Sequence, residues 1–359
     1  MTMKIRNYMV MTLLSITMFA CKKEVAVTYP LEVTTNQITE VEWTTATCGG
    51  QISYEGGSIV AFRGIVWGTE PNPTVDLKTK TEDGRGLGQF VSKLIDLQPG
   101  TKYYVRAYGI NSTDTIYGEQ IAFTTSSWTP KRMENLWDWW NSQSGIIKEG
   151  DYVEYWIGSQ GTKMEHGSDK NKALLVPSDK DWNNNPSILM NPNFNYTDCG
   201  YYAKSSINKS SKTVFLVSKV YDIHSKASNV TINFGNAVFG MWGNSDKTYF
   251  VHHYGYPHYN VDNKFTKESY QFLRFSYDRS NGGTNFYSSN KGSFRDKIFT
   301  FSSKPNLDYT SKKIGVGYYG SAYGKTPKMS VVEVLVIDGI PSENEVITYE
   351  KYLKYKYKL

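Results

Sequence analysis

Short runs of alternating apolar and polar residues, separated by turn sequences, recur along most of this 359-residue chain. In one such run, 46–54, the side chains of Ala46, Cys48 and Ile52 share one side of an extended chain, and two glycines follow as a turn. Alternation with period two predicts a strand with one buried face, because a helix repeats about every 3.6 residues. Aromatic residues make up 15 % of the chain, which also favours strands. The sequence therefore predicts an all-β protein built from β-sandwich domains.

The N-terminal segment has a different pattern. Lys4 and Arg6 precede an apolar run of 12 residues, Met9 to Ala20, which ends at Cys21. A membrane-spanning helix needs about 20 apolar residues, so this run is too short to span a bilayer and is typical of a secretion signal. A small residue before a cysteine, with polar residues directly after it, resembles a bacterial lipoprotein signal. The resemblance implies that Cys21 is lipidated; an ordinary signal peptide with an incidental cysteine is the alternative.

This segment sets the expected location of the protein. The chain is expected to be exported, attached by its N-terminal lipid to the outer membrane and exposed at the cell surface. Its partners would then lie outside the cytoplasm. The predicted order is a signal peptide with its lipidated cysteine at 1–21, followed by a tether at 22–27.

Charge and cysteine content exclude some classes of protein. Loss of Lys4 and Arg6 with the signal lowers the formal net charge from +6 to +4, and nucleic acid binding needs a more concentrated basic patch. Nucleic acid is therefore not an expected partner. Beyond Cys21 only Cys48 and Cys199 remain, in different predicted domains. We expect both to be buried as small hydrophobic residues rather than joined in a disulfide framework.

The segment 28–125 is predicted to be the first folded domain. Its late strands, around Pro99-Gly100-Thr101 and Tyr103 to Tyr108, resemble a fibronectin type III domain. The wider pattern ATCGGQISYEGG, FRGIVWGTEPNPT, YYVRAYGIN and GEQIAFTT is similar to fibronectin-like modules of bacterial surface lipoproteins. The resemblance implies a rigid spacer in which Tyr103 ties strands together at a corner.

The chain is predicted to end in a helix. Ser342 and Glu345 have the spacing of a capping box, which starts a helix. Val346, Tyr349 and Leu353 then repeat at i, i+3 and i+7, which gives one apolar stripe.

A short linker, 126–131, is predicted to lead into a second domain, 132–359. A strand at 331–337, the capping box, the closing helix and the opening Gly150-Asp151-x-Val153-x-x-Trp156 resemble the concanavalin A-like, or laminin-G-like (LamG), jelly-roll superfamily. The resemblance implies binding of glycans or proteins, sometimes through calcium. A minority of that superfamily hydrolyse polysaccharides.

Glycan recognition combines aromatic rings, which contact the apolar faces of sugars, with polar groups that bind hydroxyls. Aromatic residues in polar loops of the second domain are the candidates. The predicted glycan-binding residues are Asp181, Trp182, Asn183, Trp242, Tyr254, Tyr256, His258, Tyr319 and Tyr323. Any single one of them is also compatible with a core role.

One loop also resembles part of a calcium site. Asp179, Asp181 and Asn183 have the spacing of the first three ligands of an EF-hand loop. The glycine that this loop requires is replaced by Asn184, and Met190 stands where the bidentate glutamate belongs. We therefore expect no cofactor, with calcium bound in another geometry as the alternative.

A carboxylate motif raises an enzyme hypothesis. Glu149, Asp151 and Glu154 match the E-x-D-x-x-E spacing of the catalytic strand of laminarinase-type glucanases. Retaining hydrolysis needs two carboxyl groups about 5–5.5 Å apart. Here Lys148-Glu149-Gly150-Asp151 has the pattern of a turn, and the motif falls near the start of the domain. We therefore expect no catalysis.

Together these patterns predict a surface lipoprotein that binds an extracellular polysaccharide or glycoprotein glycan through its second domain. Other outer-membrane proteins of glycan uptake are expected partners. A protein-interaction or adhesion module is the alternative from another class, and a glycoside hydrolase is the third.

Overall fold

The structure, a computed structural model, divides the chain into two compact units, 1–126 and 127–359. It describes residues 29–167, 171–194, 199–204, 211–224, 228–234, 237–242, 248–253, 259–262, 268–278, 280, 283–290, 292–301, 313–317 and 324–359. Both units are β-sandwiches, and the second carries a C-terminal helix, so the predicted all-β fold class is confirmed. The predicted signal peptide, Cys21 and the tether lie outside the described residues.

Residues 29–126 of the first unit form seven strands in two sheets. The strands are β1 (Glu32–Thr35), β2 (Ala46–Tyr54), β3 (Phe62–Gly68), β4 (Gly88–Leu94), β5 (Lys102–Ile110), β6 (Thr115–Tyr117) and β7 (Ile121–Thr124). One sheet has the order β1-β2-β4, and in the other β5 pairs with β3, β6 and β7. All of these ladders are antiparallel.

The alternation seen in the sequence produces the core of this sandwich. Ala46, Cys48 and Ile52 of β2 are buried against residues of the opposite sheet that include Ile65 and Val105. Period two places alternate side chains on one face, and that face is removed from water.

Tyr103 joins a strand to the turn before it. Its hydroxyl accepts a hydrogen bond from the backbone N–H of Gln98 at 2.9 Å, and its ring stacks on Phe123 at 5.8 Å. The predicted structural role of Tyr103 is confirmed.

The segment 126–131, predicted as a linker, is divided between the units. Ser126 forms backbone hydrogen bonds with Glu42 and Gly100 of the first unit. Trp128 belongs to the second unit, where its ring lies 5.5 Å from that of Tyr352. A 3₁₀ turn follows at Pro130–Arg132.

The second unit consists of strands β8 to β25 and the helix α1. The strands are β8 (Leu136–Asn141), β9 (Ile146–Glu149), β10 (Tyr152–Ile157), β11 (Lys163–His166), β12 (Leu174–Asp179), β13 (Asn185–Met190), β14 (Tyr201–Lys204), β15 (Lys212–Asp222), β16 (Ser228–Phe234), β17 (Ala237–Trp242), β18 (Thr248–His253), β19 (Tyr259–Asp262), β20 (Ser269–Asp278), β21 (Gly283–Ser289), β22 (Lys297–Phe301), β23 (Lys313–Val316), β24 (Gly324–Lys325) and β25 (Lys328–Asp338). The helix α1 spans Glu343–Tyr357.

These strands form two curled layers. One layer has the order β12-β13-β25-β15-β20-β21-β22, and β8 pairs with the second half of β25. The other layer has the order β9-β10-β11-β14-β23-β16-β17-β18-β19, with β24 beside β16. At one edge the layers are joined by the pairing of Tyr152 with Leu174.

Two hydrophobic cores lie on opposite faces of the first of these layers. The larger core fills the space between the layers and includes Trp140, Trp156 and Leu216. The smaller core lies under α1 and includes Phe215, Val346 and Tyr349. Adjacent residues of β15 enter different cores, because successive side chains of a strand point to opposite faces.

The helix begins as the sequence predicts. The Ser342 hydroxyl accepts from the backbone N–H of Glu345, and the Glu345 side chain accepts from that of Ser342, which completes a capping box. Val346, Tyr349 and Leu353 are fully buried against the sheet. The predicted helix and its apolar stripe are confirmed.

Glu333 of β25 is a fully buried carboxylate beneath this helix. Five donors surround it: Trp139 Nε1, Tyr349 Oη at 3.3 Å, Tyr352 Oη at 3.3 Å, Lys356 Nζ at 2.8 Å and Tyr357 Oη at 3.0 Å. Burial and, next, the charge of Glu333 raise the pKa of all three tyrosines well above the ordinary value. They therefore remain neutral donors.

Cys48 and Cys199 are both buried, as predicted, and neither forms a disulfide within the described part of the chain. Burial raises the pKa of the Cys48 thiol to about 11, so it is protonated at neutral pH. Among the described residues, no helix has the length and apolar character needed to cross a bilayer.

The Glu333 network predicts a large stability loss on Glu333→Ala. Removing the carboxylate leaves the Lys356 ammonium buried without its partner, and breaking such a pair costs about 3–5 kcal/mol. Chemical denaturation would measure this change in the free energy of unfolding. The control is Glu343→Gln, because the Glu343 side chain is 76 % exposed. That variant should lose less than about 1 kcal/mol. Equal losses in the two variants would contradict this role of Glu333.

Candidate functional site

A cavity of about 460 Å³ opens at one end of the first layer of the second unit. Small-molecule sites commonly have volumes of about 300–1,000 Å³, so the cavity has the size of a ligand site. Its lining residues are Val176, Asp179, Leu189, Tyr221, Asp222, Glu268 and Lys328. They lie on β12, β13, the end of β15, the start of β25 and the turn before β20.

Strand pairing brings the polar groups of this cavity together. Asp222 is the cross-strand partner of Lys328 at the end of the β15–β25 ladder. Glu268 is in the left-handed region at φ 64°, and its N–H donates to the carbonyl of Val220. Non-glycine residues rarely adopt this backbone conformation. Here the hydrogen bond to Val220 holds Glu268, the residue just before β20, in this conformation.

The lining combines three carboxylates, one ammonium group and a tyrosine with two apolar side chains. The excess of carboxylates makes the cavity negative and rich in hydrogen-bond acceptors. Val176 and Leu189 supply an apolar wall. Such a lining suits a neutral ligand with several hydroxyl groups better than an anion.

Asp181 connects this cavity to a neighbouring aromatic cluster. Its carboxylate lies 2.8 Å from Lys219 Nζ and accepts from Tyr221 Oη at 2.8 Å. Burial raises the pKa of Asp181, but the hydrogen bonds from Lys219 and Tyr221 outweigh burial and hold that pKa below its usual range. Lys219 Nζ also lies 5.3 Å from the ring centre of Tyr270. The predicted glycan-binding residue Asp181 is thus bound by protein groups beside the cavity.

Trp182, the predicted stacking platform, is fully buried. Its Nε1 donates to Ser330 Oγ at 2.8 Å, and its ring makes edge contacts with Tyr270 and Tyr357 at 5.1 and 5.4 Å. A ring enclosed in this way has no face open to a sugar. The prediction for Trp182 is therefore wrong: the short loop turns the ring inward, under the end of α1.

The side chains of this loop do not converge on one point, as the ligands of a calcium ion would have to do. Asp179 caps the 3₁₀ turn Lys180–Trp182 by accepting from the N–H of Asp181 at 3.0 Å, and it also accepts from Ser187. Asn183 is exposed, with φ 53°, and its amide lies 3.5 Å from the Lys356 carbonyl. Within the described ranges, no group of three or more His, Cys, Asp or Glu residues is arranged to hold a metal ion.

The remaining predicted residues are only partly described. Trp242 is the last residue of β17, where it pairs with Ser228, and only its backbone is described. Tyr254, Tyr256, His258, Tyr319 and Tyr323 lie outside the described residues.

The carboxylate motif spans the hairpin turn between β9 and β10. Glu149 pairs with Tyr152, so Gly150 and Asp151 form the turn, and Gly150 has φ 59°. The side chain of Glu149 is 82 % exposed and lies 3.6 Å from Lys172 Nζ. The motif therefore does not run along one strand.

Glu154 belongs to an ion-pair cluster on β10. It binds Lys172, and His166 Nε2 lies 3.6 Å from its carboxylate. The hydrogen bond from Lys172 holds the pKa of Glu154 below its usual value. A general acid for glycoside cleavage needs a raised pKa, so this environment is the opposite of the one required.

No family model matches the chain, and no curated protein matches it. Among solved structures, a Trypanosoma rangeli sialidase in complex with sialic acid aligns with 92 % of this chain at 8 % identity and TM-score 0.44. This chain covers 53 % of that sialidase chain, about half its length. A putative carbohydrate-binding protein from Bacteroides ovatus aligns with 85 % of this chain and 79 % of its own, at 11 % identity and TM-score 0.33.

The sensor domain of the anti-sigma factor RsgI4 of Pseudobacteroides cellulosolvens aligns with 28 % of this chain. The match covers 98 % of that domain at 19 % identity, with a TM-score of 0.22. Similarities at this level do not identify a family.

The sequence identified Asp179 but missed Tyr221, Asp222, Glu268 and Lys328. These residues are far apart along the chain and meet only through the pairing of β15 with β25 and the turn before β20. The local signals are a polar pair at the end of β15, Tyr221-Asp222, and a lysine at the start of β25, Lys328. Without the register of the ladder, those signals do not distinguish a site from an ordinary strand terminus.

The burial of Trp182 predicts that Trp182→Ala destabilises the fold. A large aromatic side chain replaced by alanine in a core costs about 3–5 kcal/mol. Trp182→Phe keeps most of the ring volume and should lose less, mainly through the hydrogen bond to Ser330. Chemical denaturation of both variants would measure these losses. An alanine variant as stable as the parent, but unable to retain glycan, would contradict the buried role and restore the stacking role.

Proposed function

We propose that the second unit binds a neutral glycan in the cavity beside the Trp182 loop, without cleaving it. The observation that carries this proposal is the lining: three carboxylates and a tyrosine that converge with two apolar side chains. Carboxylates accept hydrogen bonds from sugar hydroxyls, and hydrogen bonds to charged groups contribute about 1.5–3 kcal/mol each. The apolar wall suits the CH groups of a sugar ring.

The absence of catalysis is part of this proposal. The support is the environment of Glu154, whose pKa is lowered by Lys172, and the position of Glu149 across a hairpin turn. We also propose that binding needs no metal ion. Strand pairing already holds the carboxylate acceptors of the lining in place, so no calcium ion is needed to position them.

The proposal places the protein at the cell surface. Cys21 would carry the lipid, and the first unit would act as a fibronectin type III-like spacer between the outer membrane and a LamG-like glycan-binding unit. The support is the apolar run ending at Cys21 and the sandwich of the first unit with its Tyr103 corner. Proteins of glycan uptake in the same membrane are the proposed partners.

The anchor predicts that Cys21→Ser releases the protein from membranes. Without the thiol, no lipid is attached, and the chain should move from the membrane fraction to the soluble exported fraction. Fractionation of cells that produce the parent and the variant would measure this. The control is Cys48→Ser, which should stay in the membrane fraction. An unchanged membrane fraction for Cys21→Ser would contradict the lipid anchor.

The cavity predicts that Asp222→Asn combined with Glu268→Gln weakens glycan binding about tenfold or more, because two charged acceptors are lost. Retention of the purified full chain on a panel of neutral polysaccharides would measure this. The matched control is Asp296→Asn combined with Glu134→Gln, which changes the same two residue types at exposed positions outside the cavity lining. The control should bind like the parent.

Three measurements on the same samples separate the alternatives. Retention that is unchanged by a calcium chelator supports metal-free binding, whereas loss of retention contradicts it. Release of reducing sugar would overturn the proposal and support the carboxylate motif. Failure to retain any polysaccharide would overturn it in favour of a protein-adhesion role.

A further inference from the structure

A row of three lysines crosses the outer face of the second layer. Lys163 of β11 lies beside Lys204 of β14, because their neighbours Met164 and Ala203 are register partners. Lys204 is in turn the register partner of Lys313 on β23. Adjacent strands are about 4.8 Å apart, so the three lysines form a line about 10 Å long.

A second row of side chains runs parallel to the first, at positions two residues away from the lysines on each strand. Tyr155 of β10 pairs with Glu165, and Glu165 pairs with Tyr202 of β14. Tyr202 pairs with Gly315, and Gly315 pairs with Asn233 of β16. Two aromatic rings, a carboxylate and an amide therefore line the lysine row.

Both rows lie on the face directed away from the core. The residues that alternate with them along the strands are Trp156, Met164, Ala203 and Ile314, and all four are fully buried between the layers. The side chains of Lys163 and Lys204 are 42 % and 75 % exposed. We call the surface formed by the two rows the lysine–tyrosine face.

Contacts within this face orient its charges. Lys163 Nζ lies 3.3 Å from the ring centre of Tyr155, and Lys313 Nζ lies 4.2 Å from that of Tyr202. Cation–π contacts of this kind hold the ammonium groups above the rings. Glu165 lies 3.4 Å from Lys163 and 3.9 Å from Lys204, so within the described residues of the two rows one carboxylate accompanies three ammonium groups. The two rows therefore hold more ammonium groups than carboxylates.

An unsatisfied polar atom lies at the end of the second row. Asn233 is only 6 % exposed, and its Oδ1 has no hydrogen-bond partner within the part of the chain that the structure describes. Its neighbour across the ladder, Gly315, has no side chain to fill the space between Asn233 and Tyr202. A buried amide oxygen without a partner is costly, and a donor from a ligand would satisfy it.

We propose that the lysine–tyrosine face binds an acidic polysaccharide. The lysine row pairs with anionic groups repeated along the polymer, and the rings of Tyr155 and Tyr202 hold two of its ammonium groups in position. Glu165 accepts hydrogen bonds from sugar hydroxyls. This site does not depend on the negative cavity of the proposed function, which lies on the other layer and repels anions.

The same face fits a nucleic acid less well. A nucleic acid backbone presents a phosphate at every residue, and DNA has no sugar hydroxyl for Glu165 to accept from. Glu165 repels any anionic polymer, but with DNA no hydrogen bond from a sugar hydroxyl compensates for that repulsion. A uronic acid or sulfated polymer alternates its charges with hydroxyl groups, which matches the alternation on the face.

Binding of the full chain to four polymers tests the proposal: polygalacturonate, chondroitin sulfate, dextran and single-stranded DNA. We expect binding to one or both of the acidic polysaccharides and weaker binding to dextran and DNA. The affinity should fall as salt rises from about 0.01 M to about 1 M, because the Debye length shrinks from about 30 Å to about 3 Å. Comparison of polygalacturonate with chondroitin sulfate distinguishes carboxylate from sulfate as the anion.

Variants of the most exposed lysine locate the site. Lys204→Glu should weaken binding about tenfold, because an attraction is lost and a repulsion is added, whereas Lys204→Arg should bind like the parent. The matched control is Lys351→Glu on the exposed side of α1, which should have no effect. Asp222→Asn with Glu268→Gln should also leave this binding unchanged, so the two sites fail independently.

Four results would overturn the proposal. They are equal binding to dextran, binding of DNA as tight as that of the acidic polysaccharides, equal losses for Lys204→Glu and Lys351→Glu, and no binding to either acidic polysaccharide at low salt. Thermal denaturation of each variant accompanies the measurements. Because the Lys204 side chain is largely exposed, we expect no change in melting temperature.

Discussion

The buried carboxylate of Glu333 is the interaction on which the arrangement of the second unit depends. It lies at the centre of β25, which pairs with three other strands, and its oxygens receive donors from β8 and from the last two turns of α1. A charge in a core is costly unless its lone pairs have partners, so the four donors of α1 fix the position of the helix over Glu333, and Trp139 of β8 supplies the fifth donor. The apolar stripe of α1 provides the surface that is buried, and the hydrogen bonds to Glu333 fix the position of the helix on the sheet.

The position of α1 in turn sets the wall of the candidate cavity. The amide of Asn185 donates to the Lys356 carbonyl at 3.1 Å, and the ring of Tyr357 packs against Trp182. These contacts attach the loop 179–185 to the end of the helix. Asp179 and Asp181 are part of that loop. The helix therefore positions these two polar groups, although no residue of α1 lines the cavity. The buried Trp182 thus helps to attach this loop to the end of α1, which a ring exposed for stacking on a sugar could not do.

Local signals in the sequence were sufficient for the strands, the capping box of Ser342 and Glu345 and the corner residue Tyr103, because each depends on residues close together in the chain. They were insufficient for Trp182. A tryptophan in a polar loop has the same local pattern whether its ring faces solvent or a core, and only the position of α1 decides between them. The cavity was not predicted from the sequence for a related reason. Asp222 and Lys328 become neighbours only through the register of the β15–β25 ladder, and no local sequence pattern reveals that register. The lysine–tyrosine face was missed in the same way, since Lys163, Lys204 and Lys313 lie on three separate short strands.

The two layers of the second unit differ in the surface that they present. On the first layer, α1 covers an apolar core and the buried carboxylate of Glu333, and the residues that line the cavity lie outside that core. On the second layer, Lys163 and Lys204 remain exposed, and strand alternation fills that face with charged and aromatic side chains opposite a continuous core. The negative cavity and the lysine–tyrosine face therefore lie on different layers of one sandwich. The proposed neutral glycan and the proposed acidic polysaccharide would therefore not compete for the same residues, since no residue of the cavity belongs to the lysine–tyrosine face.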